Sequence, residues 1–135
     1  MGTDPKVAEA KRVLMKHFLD RKNRPIRTPY YQHQLQVLYE NKFFDWVITT
    51  ALDGLVRDGY LEVFDRQNTP ELKLMGNKIG RMKFYANADA VRTERGRQLM
   101  KKHVVGTAKL VSRYSDTNIT RMLGAQLESL VKSQL

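Results

Sequence analysis

The stretch from Val47 to Phe64 constrains this chain more than any other, because the spacing of its apolar side chains changes once, abruptly, at a glycine. Val47, Ile48, Ala51, Leu52, Leu55 and Val56 recur at three- and four-residue intervals, on one face of a helix running from about Phe44 to Asp58. Asp58-Gly59 supplies a turn that ends such a helix, and Tyr60-Leu61-Glu62-Val63-Phe64 then alternates apolar and polar like a half-buried strand. A second alternating run, Arg81-Met82-Lys83-Phe84-Tyr85, reads as the other arm of a hairpin. The polar excursion between them, Asp65 to Gly80, contains Pro70, Gly76, Asn77 and Gly80 and reads as its long tip.

Helices surround this hairpin. Asp4-Pro5 pairs a capping carboxylate with a proline suited to the first helical position, and Val7, Ala10, Val13, Leu14 and Phe18 continue as an apolar stripe to about Leu19. Residues 23–29, with Pro25 and Pro29, read as an extended connection. A second helix from near Thr28-Pro29 to about Asn41 carries Tyr31, Leu35, Leu38 and Tyr39. Thr93-Glu94 caps a long helix that runs to about Tyr114, with Leu99, Met100, His103, Val104 and Ala108 on its apolar side. Ser115-Asp116-Thr117 breaks the chain. A last helix then bears Ile119, Met122, Leu123, Leu127, Leu130 and Val131 on one stripe. The expected organisation is one domain over residues 1–113, followed at 114–135 by a helix that serves as a dimerisation arm or as the start of a further domain. The class is mainly α with a small β-hairpin, that is, α+β.

Charge is uneven along the chain. Twenty-four Lys and Arg stand against 14 Asp and Glu, a net +10, which points to an anionic partner. Residues 1–28 hold eight basic and three acidic side chains (+5), 29–65 two and six (−4), 66–113 twelve and three (+9), and 114–135 balance. Positive charge therefore brackets the central helices and avoids them. With no cysteine, disulfides, thiolate nucleophiles and Cys-based metal sites are excluded. No apolar run approaches the roughly 18 residues of a membrane span, and the first residues lack the apolar core of a signal peptide. A soluble cytoplasmic or nucleoid-associated chain without membrane contact is expected. His17, His33 and His103 fall in no metal-ligand or general-base pattern, and there is no P-loop, dinucleotide fingerprint or nucleophile elbow. A non-catalytic chain without cofactor is expected.

The order helix, extended link, helix, turn, helix, strand, long loop, strand, helix resembles a winged helix-turn-helix domain followed by extra C-terminal helices. Residues 47–61 are similar to the recognition helix and following strand of that superfamily. Val91-Arg92-Thr93-Glu94-Arg95-Gly96-Arg97-Gln98-Leu99 is similar to the segment that follows the wing in MarR-type and PadR-type regulators, although Arg92 stands where those families carry an apolar residue. The resemblance covers about residues 5–113. It implies a transcriptional regulator or DNA-associated module on double-stranded DNA, whose recognition helix reads base edges and whose wing touches the backbone.

On that reading Thr49, Thr50 and Arg57 contact bases, while Asp45 and Asp53 on the same face disfavour phosphate but can accept from a base amino group. Arg66, Lys73, Lys78, Arg81 and Lys83 form a basic wing, and Arg24 and Arg27 belong to a second basic cluster near the first linker. Neutralising about five phosphates implies a log–log salt slope of about −4 to −5. Tyr30, Tyr31, Phe43, Phe44 and Trp46 crowd the corner between the second and third helices and are expected in the core. Two other readings compete. One is a protein-interaction or accessory module, the N-terminal part of a nuclease-like or DNA-processing protein, suggested by the acidic central helix. The other is a homodimeric regulator paired through residues 117–135.

Overall fold

The computed structural model describes residues 4–114, 119–122 and 124–134. The chain is mainly helical with a three-stranded antiparallel sheet, the expected α+β class. In order, the elements are α1 (Pro5–Met15), β1 (Tyr30–Tyr31), α2 (Gln32–Leu38), α3 (Asp45–Arg57), β2 (Leu61–Phe64), α4 (Pro70–Lys73), α5 (Asn77–Gly80), β3 (Phe84–Asn87), α6 (Glu94–Arg113) and α7 (Gly124–Gln134), with 3-10 turns at Lys16–Phe18 and Ala88–Val91. The break expected at Ser115-Asp116-Thr117, and Leu123 of the last stripe, lie outside the described residues.

Local chemistry sets several boundaries where the sequence placed them. Asp4 accepts from the Lys6 backbone N–H at 2.8 Å and Pro5 opens α1. Thr93 accepts from Gly96 N–H at 3.0 Å and starts α6. Gly59, at φ 85°, lets the Tyr60 N–H reach back to the Leu55 carbonyl (2.9 Å) and so closes α3. Helix α1 stops earlier than expected, at Met15. A 3-10 turn follows, and Leu19 then bridges to Pro25 around a turn organised by Asp20, whose Oδ1 accepts from the Lys22 and Arg24 N–H groups at 2.8 and 2.9 Å.

Strand β3 is central, in the order β1-β3-β2, pairing Tyr30 with Tyr85 and Tyr31 with Phe84 on one side, and Val63 with Tyr85 and Phe64 with Phe84 on the other. Its four residues are all buried, whereas the sequence suggested a half-buried strand at 81–85; the register of the element is shifted and both of its faces are covered. Alternation along the strands divides the interior in two. Tyr30, Leu61 and Tyr85 point into a core built with Val7, Leu14, Phe18, Leu35, Val47, Ile48 and Leu52 of the first three helices. Tyr31, Phe64, Phe84 and Ala86 point the other way, into a core with Leu72, Ile79, Met100, Val104, Ala108, Leu127 and Val131.

The excursion between β2 and β3 is not a free hairpin tip. Thr69-Pro70 and Gly76-Asn77 each start one helical turn, α4 and α5, and these turns bury Leu72 and Ile79 in the second core. The last stripe is likewise engaged within the chain. Ile119, Leu127 and Val131 are buried, and Met122 and Leu130 pack beside them, so that α7 lies along α6. Pairing of two chains through 117–135 thereby loses most of its expected driving term, the burial of that stripe. Polar bonds fasten the same segment: Gln34 at the start of α2, fully buried, donates to the Met122 carbonyl, and Arg121 lies 3.4 Å from Glu40.

Polar groups fix the sheet to its neighbours. Asn87 donates through Nδ2 to the Phe18 carbonyl at 2.9 Å and accepts from Asp89 N–H. Arg97 forms a forked pair with Glu62 (2.8 and 3.2 Å) and also donates to the Val91 carbonyl, tying α6 to β2.

Candidate nucleic-acid interface

The start of α2, the middle of α3 and the end of the excursion meet in a cleft of about 320 Å³ lined by Tyr31, Gln32, His33, Gln36, Thr49, Lys78, Arg81, Met82 and Lys83. Each contribution follows from the local fold. Lys78 lies on α5, whose Ile79 is anchored in the second core. Arg81 and Lys83 sit on the three residues that lead from α5 into β3. The Gln32 N–H donates to the Lys83 carbonyl at 3.1 Å, extending the β1-β3 pairing by one bond and fixing this edge of the cleft. Gln32 also accepts from the Tyr85 hydroxyl at 3.3 Å.

Among the described residues no carboxylate lines the cleft, whose charged side chains there are Lys78, Arg81 and Lys83. Acidic groups stand beside it. Lys83 also borders a neighbouring hollow with Asp53, Asp65 and Tyr85, and burial, reinforced by those two carboxylates, pushes the Tyr85 phenol far above its usual range. Lys83 thus stands between the cleft, which it shares with Lys78 and Arg81, and this acidic hollow.

Of the ten residues singled out from the sequence, the structure brings four together: Thr49, Lys78, Arg81 and Lys83. Thr49 is half-buried and already engaged, accepting from Gln36 Nε2 at 3.3 Å and donating to the Asp45 carbonyl at 3.1 Å, so it braces α2 against α3. The other six lie elsewhere. Thr50 and Arg57 are exposed on the outer face of α3. Arg66 falls in the turn after β2, where Asp65 Oδ1 accepts from the Gln67 N–H at 2.9 Å, and Lys73 ends α4. Arg24 pairs with Asp20 at 2.9 Å. Arg27 shares a separate surface hollow with Asp89, Thr93 and Arg95. A five-cation wing therefore becomes a three-cation cleft, because Arg66 stays in the turn after β2 and Lys73 ends α4, and neither lines the cleft.

Sequence reasoning passed over Gln32, His33 and Gln36, which supply polar groups on the α2 wall. Their positions at the start of a helix that follows Pro29 were the available signal. It also misplaced two aromatics. Tyr30, Tyr31 and Phe43 are in the core as expected, but Phe44 is 76% and Trp46 55% exposed. Phe44 is the N-cap residue of α3, and Trp46 sits in its first turn on the side away from Val47 and Ile48.

Among the described residues no cluster of His, Asp and Glu that could hold a metal is present, and no helix is long and apolar enough to cross a membrane. Comparison with protein-family models, with curated proteins and with solved structures gives no match.

Proposed function

We propose that the chain is a DNA-binding winged-helix module, with α2 and α3 as its helix-turn-helix, β2 and β3 as the arms of its wing, and the backbone of double-stranded DNA held in the basic cleft. The observation that carries this reading is the convergence of Lys78, Arg81 and Lys83 beside Thr49 in a cleft that no carboxylate lines among the described residues. Cations gathered on one wall bind phosphate by releasing condensed counterions, whatever the base sequence. The outer face of α3 adds less, since Asp45 and Asp53 oppose phosphate there. Thr50 and Arg57 supply what base contact there is.

The test is the salt dependence of binding to a random duplex, read by fluorescence anisotropy. Three phosphate contacts give a log–log slope of about −2.7, shallower than the five-cation wing would give. The double variant Lys78→Glu, Arg81→Glu is expected to weaken binding to all sequences alike, while Arg57→Ala shifts preference among them. Absence of binding at low salt overturns the reading.

A further inference from the structure

The outer edge of α3 carries a chemistry that a continuous duplex does not use. Phe44 and Trp46 expose most of their ring surface, in contrast with every aromatic in β1 and β3, which are buried. Asp45 lies between them, and Thr50 and Asp53 follow Trp46 at one- and two-turn spacing on the same exposed side. Thr49, three residues on from Trp46 and therefore its neighbour on the helix surface, lines the basic cleft. Charge is sorted across this short distance. Cations that suit phosphate stand in the cleft, whereas the side of Trp46 offers an exposed indole face beside carboxylates that repel phosphate but accept from exocyclic amino groups. In paired DNA the base faces are stacked on one another and their Watson–Crick amino groups are engaged. Where the strands separate, both become available, and aromatic rings beside a cationic track are what unpaired bases bind.

We propose that Trp46 forms a stacking platform for unpaired bases, so that the chain engages DNA where a duplex opens into single strand, with the duplex backbone in the Lys78–Arg81–Lys83 cleft. The proposal rests on the DNA-binding reading above and adds the form of DNA preferred. Asp45 and Asp53 receive amino groups of the splayed bases and keep the phosphates on the cleft side.

Trp46 is the chain's one tryptophan, so its fluorescence reports the contact directly. The experiment compares a blunt duplex with a forked duplex of the same paired sequence bearing two unpaired arms, by anisotropy of labelled DNA and by quenching of the indole emission with unlabelled DNA. The fork is expected to bind about tenfold more tightly than the blunt duplex and to quench Trp46, as stacking on one or two bases provides. Trp46→Ala is expected to abolish the preference while leaving blunt-duplex affinity within about twofold, and Trp46→Phe to keep most of it. Because Trp46 is exposed, these variants keep the fold, which circular dichroism verifies. Equal affinity for fork and blunt duplex, with unquenched emission, overturns the platform but leaves the cleft standing, and assigns the aromatic face to a protein partner. Loss of binding to every DNA in the unaltered chain overturns the cleft reading and the platform together.

Discussion

The two layers that flank the sheet are built from the same kinds of side chain but are closed differently. On one side, α1, α2 and α3 pack around Tyr30, Leu61 and Tyr85. These are the first three helices of the chain, and their stripes are visible as helical periods. On the other side, Tyr31, Phe64 and Phe84 are covered by pieces from distant parts of the chain: the two single turns α4 and α5, the long α6, and α7. The first layer presents the α2–α3 edge of the cleft. The second holds the cations of that cleft in place from behind, through Leu72 and Ile79. The helical wall of the cleft and the support behind its cations are thus divided between the faces of one small sheet.

Truncating the central strand tests this division most strongly. Phe84→Ala removes a fully buried ring that meets Tyr31 at a 5.7 Å centroid distance, and a cost of about 3–5 kcal/mol is expected in chemical denaturation. Amide exchange in that variant should rise more in α6 and α7 than in α1 and α3; an equal rise would erase the distinction between the layers. Next is Gly96→Ala, where a Cβ would stand 2.5 Å from the Ala90 carbonyl oxygen. The turn before α6 must shift, at about 1–3 kcal/mol. Its counterpart on the first layer, Gly59→Ala, meets nothing within 4 Å but holds φ at 85°, so its cost is conformational, about 1 kcal/mol. If Gly59→Ala proves the more damaging of the two, close packing is not what distinguishes the second layer.

Weaker still is Glu62→Gln. Its pair with Arg97 is over a third exposed on both sides, so about 0.5 kcal/mol or less is expected, shrinking with added salt. The smallest expected effect is that of pH. His17, bonded to the Tyr39 hydroxyl in the first layer, and His103, beside Thr107 in the second, both have pKa values lowered by burial. Each folded histidine binds its proton less readily than the unfolded one. The stability they confer is complete above the unfolded value of about 6.5 and declines as pH falls through that value toward the lower folded one. Denaturation midpoints at pH 7.5, 6.5 and 5.5 should fall in that order, and His103→Gln should remove part of the decline. A midpoint that does not change over this range contradicts the burial of both rings.

Much of the first layer was legible because its signals are local: a proline after a carboxylate, a helical stripe, a glycine at a turn. The second layer was less so. Two residues, Tyr30 and Tyr31, are too short a run to show alternation, and the turns α4 and α5 are a single turn each, too brief to set up a period. An apolar stripe on the last helix announced that something covers it, but α6 as the cover is a long-range fact that no spacing encodes. The site divides in the same way. The cations of the excursion could be counted, yet which of them share a wall depends on how Leu72 and Ile79 anchor it. The exposure of Phe44 and Trp46 was hidden because aromatics near a helix start are usually core.

Burial of β3 on both faces has a consequence for how the chain finds its register. A strand with one wet face is kept in step by its own pattern, since sliding by one residue would drown polar side chains and expose apolar ones. With Phe84, Tyr85 and Ala86 all enclosed, a slip exchanges one greasy surface for another and meets little of that resistance. Alignment then depends on a few polar pegs, chiefly the Asn87 amide seated on the Phe18 carbonyl and the Tyr85 hydroxyl on Gln32. Asn87→Leu would make the strand apolar throughout and deprive it of its index mark.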